Sequence, residues 1–212
     1  MQPAYPTRSL VYEACVESLE DALAAERRGA HRIELCSALD QDGLTPSRAL
    51  IVECKRQLSI PIMVMIRPRG GDFVHSDDEV ARMADEIAFC KRSGVAGVVF
   101  GLLTPAGTID GKNTERLVRA ALPLDVTFHK AIDYSADVMA SFECLNSIDG
   151  ISRVLTSGGR TTAWEGRETL KAMHEMPGRR IELIAAGRLL PGNREQVADY
   201  TGIRELHGKR IV

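Results

Sequence analysis

Two short segments repeat one pairing of residue types: Glu13-Ala14-Cys15 and Glu34-Leu35-Cys36. Each sets a carboxyl and a thiol two residues apart. In an extended strand both side chains then share a face. Two thiols at equal depth on neighbouring strands, about 4.8 Å apart, could share one soft metal ion. Glu13 and Glu34 would raise the thiol pKa values by their negative charge, and Arg67 and Arg69 would act the other way. Cys54, Cys90 and Cys144 fall in helical patterns and read as small apolar residues.

The stretch VMIRPRGGDF, residues 64–73, brings Arg67 and Arg69 to one face with Pro68 on the other. Gly70 and Gly71 permit a sharp turn, and Asp72 could tie it. Two guanidinium groups so placed suit a bidentate grip on a carboxylate or phosphate. They could instead neutralise Glu13, Glu34 and Glu205 inside a buried interior. Thr127, His129, Ala131 and Asp133 alternate along another segment. His129 is a candidate general acid or base, with Asp133 or Glu205 setting its tautomer and Glu13 or Glu34 as a second base. Thr156, Ser157, Gly158 and Gly159 are turn residues, or an anion cradle built from backbone N–H groups. Glu205 and His207 again stand two apart.

The elements that must position these groups alternate. Strand patterns cover 9–18, 31–37, 60–68, 97–103, 124–133, 151–158, 180–187 and 204–208. Helical patterns cover 19–29, 46–58, 76–94, 113–122, 136–147, 163–176 and 192–201. Alternation of this kind builds parallel βαβ units. Eight strands are the number that closes a (β/α)8 barrel, and no GxGxxG follows the first strand to favour an open dinucleotide-binding sheet. The expected fold is therefore α/β, a TIM-type barrel in one domain, 1–212, lacking the final C-terminal helix. A partner subunit is the expected cover for the outer face of the eighth and first strands. The strand-end residues then gather at one mouth, where barrels carry their sites.

Composition narrows the partners. The 212 residues are 44% hydrophobic, and 27 basic against 29 acidic side chains give a formal charge of -2. A basic excess, the mark of general nucleic-acid or anionic-membrane binding, is missing. No apolar run approaches the roughly 20 residues of a membrane span, and the first residues show no secretory pattern. Five scattered cysteines without a CxxC pair suit free thiols in a reducing cytoplasm.

The segments RIELCSALDQDGLTPS, IPIMVMIRPRGGDFVHSDDE, VTFHKAID and RVLTSGG resemble the CutC family of copper homeostasis proteins, in order and over nearly the whole chain. The resemblance implies a cytoplasmic TIM barrel that forms dimers or higher homo-oligomers. It also implies Cu(I) binding through two cysteines, which match Cys15 and Cys36 by motif. Three departures fall near the corner where barrels often bind phosphate. The turn after the seventh strand is Ala185-Ala186-Gly187-Arg188 where the family carries a Gly-rich turn. Gly208 and Lys209 follow His207 in place of a serine-containing pattern. The final loop and helix do not follow. Two functions are carried forward: Cu(I) binding at Cys15 and Cys36, and an enzyme on a small anionic substrate held by Arg67 and Arg69 with His129 as acid/base. In the second, Asp72, Thr156, Ser157, Gly158, Glu205 and His207 complete the ligand site.

Overall fold

Four-residue apolar runs such as Ile62–Met65 are too short to form a stable open sheet alone, and here they close on one another. The computed structural model describes residues 9–212; the first residues of the chain, read above for a signal pattern, lie outside them. The order is β1 (Val11–Val16), α1 (Leu19–Arg27), β2 (Arg32–Leu35), α2 (Arg48–Gln57), β3 (Ile62–Met65), α3 (Asp77–Ser93), β4 (Gly97–Phe100), α4 (Gly111–Ala121), β5 (Asp125–Phe128), α5 (Val138–Ser147), β6 (Arg153–Thr156), α6 (Arg167–His174), β7 (Glu182–Ala185), α7 (Arg194–Thr201) and β8 (Glu205–Gly208). Every strand pairs in parallel with its sequence neighbour, and β8 returns to β1. The described residues form a closed eight-stranded (β/α)8-type barrel with seven α-helices.

Local chemistry starts and stops these elements. Ser18 and Ser47 accept the Asp21 and Leu50 N–H groups at the heads of α1 and α2. Ser76 and Glu79 form a reciprocal capping box on α3, and Gly94 ends that helix at φ 70°. The expected strand 124–133 is cut short. β5 ends at Phe128, and Lys130–Tyr134 forms a 3-10 turn. The His129 side chain causes the break, because its Nδ1 accepts the Ala131 N–H at 3.1 Å. Asp133 therefore leaves the strand face that its spacing from His129 had suggested.

The alternation of each strand divides the interior in two. Ala14, Ile33, Leu35, Val64, Val98, Phe100, Val126 and Phe128 face the helices and form the large apolar core. Their partners face the lumen. Gly97 leaves lumen space for a thioether: a Cβ there would lie 2.3 Å from Cε of Met63. Residues 209–212 follow β8 among the described residues. Ile211 is buried in the helix-facing core, its carbonyl accepts from Arg194 Nη1, and the Arg194 guanidinium lies 3.8 Å from the Tyr12 ring centroid. These residues cover part of the face for which a partner subunit was expected.

The lumen floor is ionic. Arg32 Nε donates to Glu13 Oε2, and Arg32 Nη2 donates to Glu205 Oε2 at 2.6 Å. Arg153 reaches the same Glu205 oxygen at 3.1 Å and Asp125 Oδ2 at 2.7 Å. So Glu13 and Glu205 are neutralised by Arg32 and Arg153 from the strands, not by Arg67 and Arg69 as the sequence had allowed. Burial alone would raise the Glu13 pKa. The Arg32 and His207 charges outweigh burial and lower it from 4.5 to about 2.

Arg32→Met removes one partner and leaves two carboxylates facing each other in the lumen. We expect a loss on the order of 3 kcal/mol, read as a lower urea midpoint. Because the Glu13 pKa is depressed, its stabilisation is complete above pH 4.5 and fades as the pH falls toward 2. Glu13→Gln should flatten the pH dependence of unfolding across that window.

Candidate functional site

Above the ionic floor the lumen carries the thiols. β1 and β2 pair with Cys15 opposite Glu34, and the Cys36 N–H donates to the Val16 carbonyl at 2.9 Å. This register brings Cys15 Sγ to 3.9 Å from Cys36 Sγ. Both are buried, and with Met63, Met65 and Val99 they form an apolar cluster separate from the helix-facing core. Cys36 Sγ lies 3.6 Å from Glu34 Oε2, and the ligand atoms of Cys15, Glu34 and Cys36 all fall within 4.8 Å of one another. Gly43 closes the roof: a Cβ there would sit 3.2 Å from Cys36 Sγ and 3.7 Å from Met65 Cε.

His207, from β8, ties this group to the floor. Its Nδ1 lies 2.9 Å from Glu13 Oε1 and its Nε2 lies 3.6 Å from Glu34 Oε2. Burial works against the charged imidazole, but Glu34, Cys15 and Glu13 together raise its pKa well above 6.5. The hydrogen bond from Cys36, assisted by His207, holds the Cys15 thiol well below its ordinary pKa. The same bond to Cys15, together with burial, pushes Cys36 up. Burial and the Cys15 charge push Glu34 up. These shifts favour negative charge on Cys15 and positive charge on His207, and they hold Cys36 as the thiol. The cation the sequence assigned to Arg67 and Arg69 is thus supplied at this depth by His207.

Above the thiols the barrel opens into a cavity of about 730 Å³ whose wall includes Cys15, Glu34, Met65, Arg67, His129 and His207. Arg67 is almost fully buried. Its Nη1 donates to the carbonyls of Gln41 at 3.0 Å and Gly43 at 3.3 Å, and its Nη2 donates to Gly71 at 2.9 Å. The Phe73 ring supports the guanidinium from 4.8 Å. Arg67 Nε has no protein partner. His129 is buried between Gly101 and Phe73; a Cβ on residue 101 would lie 2.5 Å from His129 Nδ1. Burial and the nearby Arg67 lower the His129 pKa to about 3. The ring is neutral at physiological pH, with its proton on Nε2, and that N–H has no protein partner. A group so shifted is a hydrogen-bond donor and a poor acid or base near neutrality.

Other expected residues are placed elsewhere. The strand ends at Met65, so strict alternation fails beyond it, and Arg69 turns outward. There it donates to Glu79 Oε1 at 2.7 Å and to Asp72 Oδ1 at 2.9 Å. Asp72 therefore braces Arg69, and it lines a neighbouring cavity of about 790 Å³ that shares Arg67 and Phe73 with the one above the thiols. Glu205 sits in the floor. Asp133 sits where an anion would be cradled by the loop after β6. Its carboxylate accepts from Thr156 Oγ1 at 2.6 Å, Ser157 N at 2.9 Å and Gly159 N at 2.8 Å, while the Gly158 N–H turns to Thr156 Oγ1. The corner expected to hold a ligand is filled by the chain's own carboxylate, which also removes Asp133 as the orienter of His129.

Several contributors escaped the sequence reading. Arg32 alternates with Glu34 and Cys36 in HRIELC, and that spacing could have revealed it. Met63 and Met65 hide in an all-apolar run, where nothing separates a lumen thioether from ordinary core. Among the described residues, the non-glycine positions with left-handed backbone are Ala38, Asp42 and Arg188 at φ 47°, 64° and 55°. Asp42 and Arg188 line the cavity. Such a conformation costs roughly 1 kcal/mol per residue.

Fold and site together define a (β/α)8 barrel with a buried pair of thiols beneath an open mouth. The chain belongs to the CutC family, whose family model matches residues 10–212. It is 43% identical over 195 residues to the human copper homeostasis protein cutC homolog, covering 92% of this chain and 71% of that protein. A CutC family protein from Xylella fastidiosa is also 43% identical, over 92% of this chain and 73% of its own length. Among solved structures, CutC from Streptococcus agalactiae aligns with a TM-score of 0.90 at 32% identity, over 96% of this chain and all of that one. The dihydrodipicolinate synthase DapA-2 of Bacillus anthracis aligns at 0.62 with 10% identity, over 95% of this chain and 70% of that one; it shares the barrel fold alone.

Asp133→Ala should strand the donors of Thr156, Ser157 and Gly159. The expected cost is about 3 kcal/mol, measured by thermal unfolding. Asp133→Asn, which keeps one acceptor oxygen, should cost less.

Proposed function

We propose that this protein binds Cu(I) through Cys15 and Cys36 and serves copper homeostasis. The observation that carries the reading is the 3.9 Å separation of the two sulfur atoms in a buried, soft-donor pocket. Two opposed metal–sulfur bonds of about 2.3 Å each span about 4.6 Å. The observed gap is a little shorter and suits a bent arrangement with a third donor. Met65 supplies a thioether in the same apolar cluster, and thiolate with thioether selects Cu(I) over harder ions. Glu34 is the hard alternative, and its raised pKa makes it the poorer ligand. Kinship with the CutC family supports the copper role. The same reading takes the protein as a cytoplasmic homo-oligomer, dimer or higher. The unpaired state of all five cysteines suits a reducing compartment.

The test is a Cu(I) titration under reducing conditions against a competing chelator. The wild type is expected to take one copper per chain. Cys15→Ser and Cys36→Ser should each weaken it by at least about 100-fold, and the double variant should bind none above background. Unchanged stoichiometry in the double variant rejects the reading.

A further inference from the structure

The cavity at the mouth has a charge pattern that the thiols do not account for. Its wall carries five cationic side chains, Arg67, Lys130, Arg188, Lys209 and Arg210, against two carboxyls, Glu34 and Asp42. The chain as a whole carries a formal charge of -2, so this is a local concentration of positive charge. Lys130 lies 3.7 Å from Asp133, and Lys209 Nζ donates to the Leu39 carbonyl. Arg67 spends its two terminal nitrogens on three carbonyls and keeps Nε unpartnered. His129 contributes an unpartnered Nε2 in the same wall. Buried donors without partners are uncommon in folded proteins and call for a ligand, an ion or water.

Arg188 adds an independent argument. It holds left-handed backbone at φ 55° immediately after Gly187, where a glycine would be relaxed. A long cationic side chain is kept there in spite of the strain, and it lines the cavity. Strain of this kind gathers where a side chain has a task beyond folding.

We propose that the barrel mouth is a binding site for a small oxyanion, a carboxylate or phosphate compound, recognised by Arg188 and Arg210 at the rim with Arg67 and His129 in the wall. The site differs from the two-arginine clamp expected from the sequence, since Arg69 faces away. It also differs from the cradle after β6, which Asp133 fills. The about 730 Å³ enclosed is room for a compact organic acid or sugar-phosphate-sized molecule. The proposal stands whether or not the thiols take copper.

The experiment uses metal-free protein and two probes, inorganic phosphate and malonate, in calorimetric titrations at low ionic strength. At least one probe is expected to bind saturably at one per chain. The variant Arg188→Gly with Arg210→Ala should weaken that binding about ten-fold. Its unfolding temperature should be unchanged or higher, because glycine relaxes the backbone at 188. In the wild type, the ring-nitrogen NMR signals of His129 should move with the bound probe while those of His31 and His174, which lie outside the cavity, stay fixed. Saturable binding by neither probe up to about 10 mM, equal binding by the variant, or a still His129 signal would each overturn the proposal.

Discussion

One cation sets the order of everything above it. Arg32 joins Glu13 of β1 to Glu205 of β8 across the lumen floor. Two carboxylates and a guanidinium removed from water are tolerable only as a connected set. Because Arg32 satisfies one oxygen of Glu13, the other is free to accept His207. His207 then stands between Glu13 and Glu34, and its charge reaches Cys15. The chemistry of the thiols is thus set from below, through three adjacent strands, of which β8 and β1 meet only because the barrel closes. An open sheet with the same strands would leave β1 and β8 apart and His207 without Glu13.

The mouth is governed by different physics. There the backbone has left strand geometry, and side chains are held by carbonyls and rings. Arg67 is fixed by the Gln41, Gly43 and Gly71 carbonyls and by Phe73, so it joins the loops after β2 and β3. His129 is fixed by the Ala131 N–H and by the space that Gly101 leaves. Both groups are rigid and both retain an unused donor.

The sequence carried the fold almost completely. All eight strands and seven helices occur in the expected order, with the strands shorter than the apolar pattern and β5 ending at Phe128. Within a strand, period two is a strict rule, so the pairs Glu13/Cys15, Glu34/Cys36 and Glu205/His207 could be assigned to a common interior without a structure. The rule fails where strands end. The 3-10 turn at 130–134 carried Asp133 toward the loop after β6, and Arg69 found Glu79 in the first turn of α3. Pairing across the barrel was also out of reach. That Arg32 and Arg153 would serve Glu205 depends on the relative height of strands far apart in the chain, and height follows from barrel stagger, which residue types do not encode.

The carboxylate of Asp133 in the loop after β6 has a further meaning for how the barrel can be entered. It locks the loop after β5 to the loop after β6 with four donors, so that sector of the rim cannot part without breaking buried bonds. The sector after β7 and β8 is tied differently: Asn193 Nδ2 donates to the Arg188 carbonyl, Arg194 Nη1 to that of Ile211, and Lys209 Nζ to that of Leu39. The rim is therefore unevenly built: the Asp133 flank works as a fixed jamb beside the loops that carry Arg188 and Arg210.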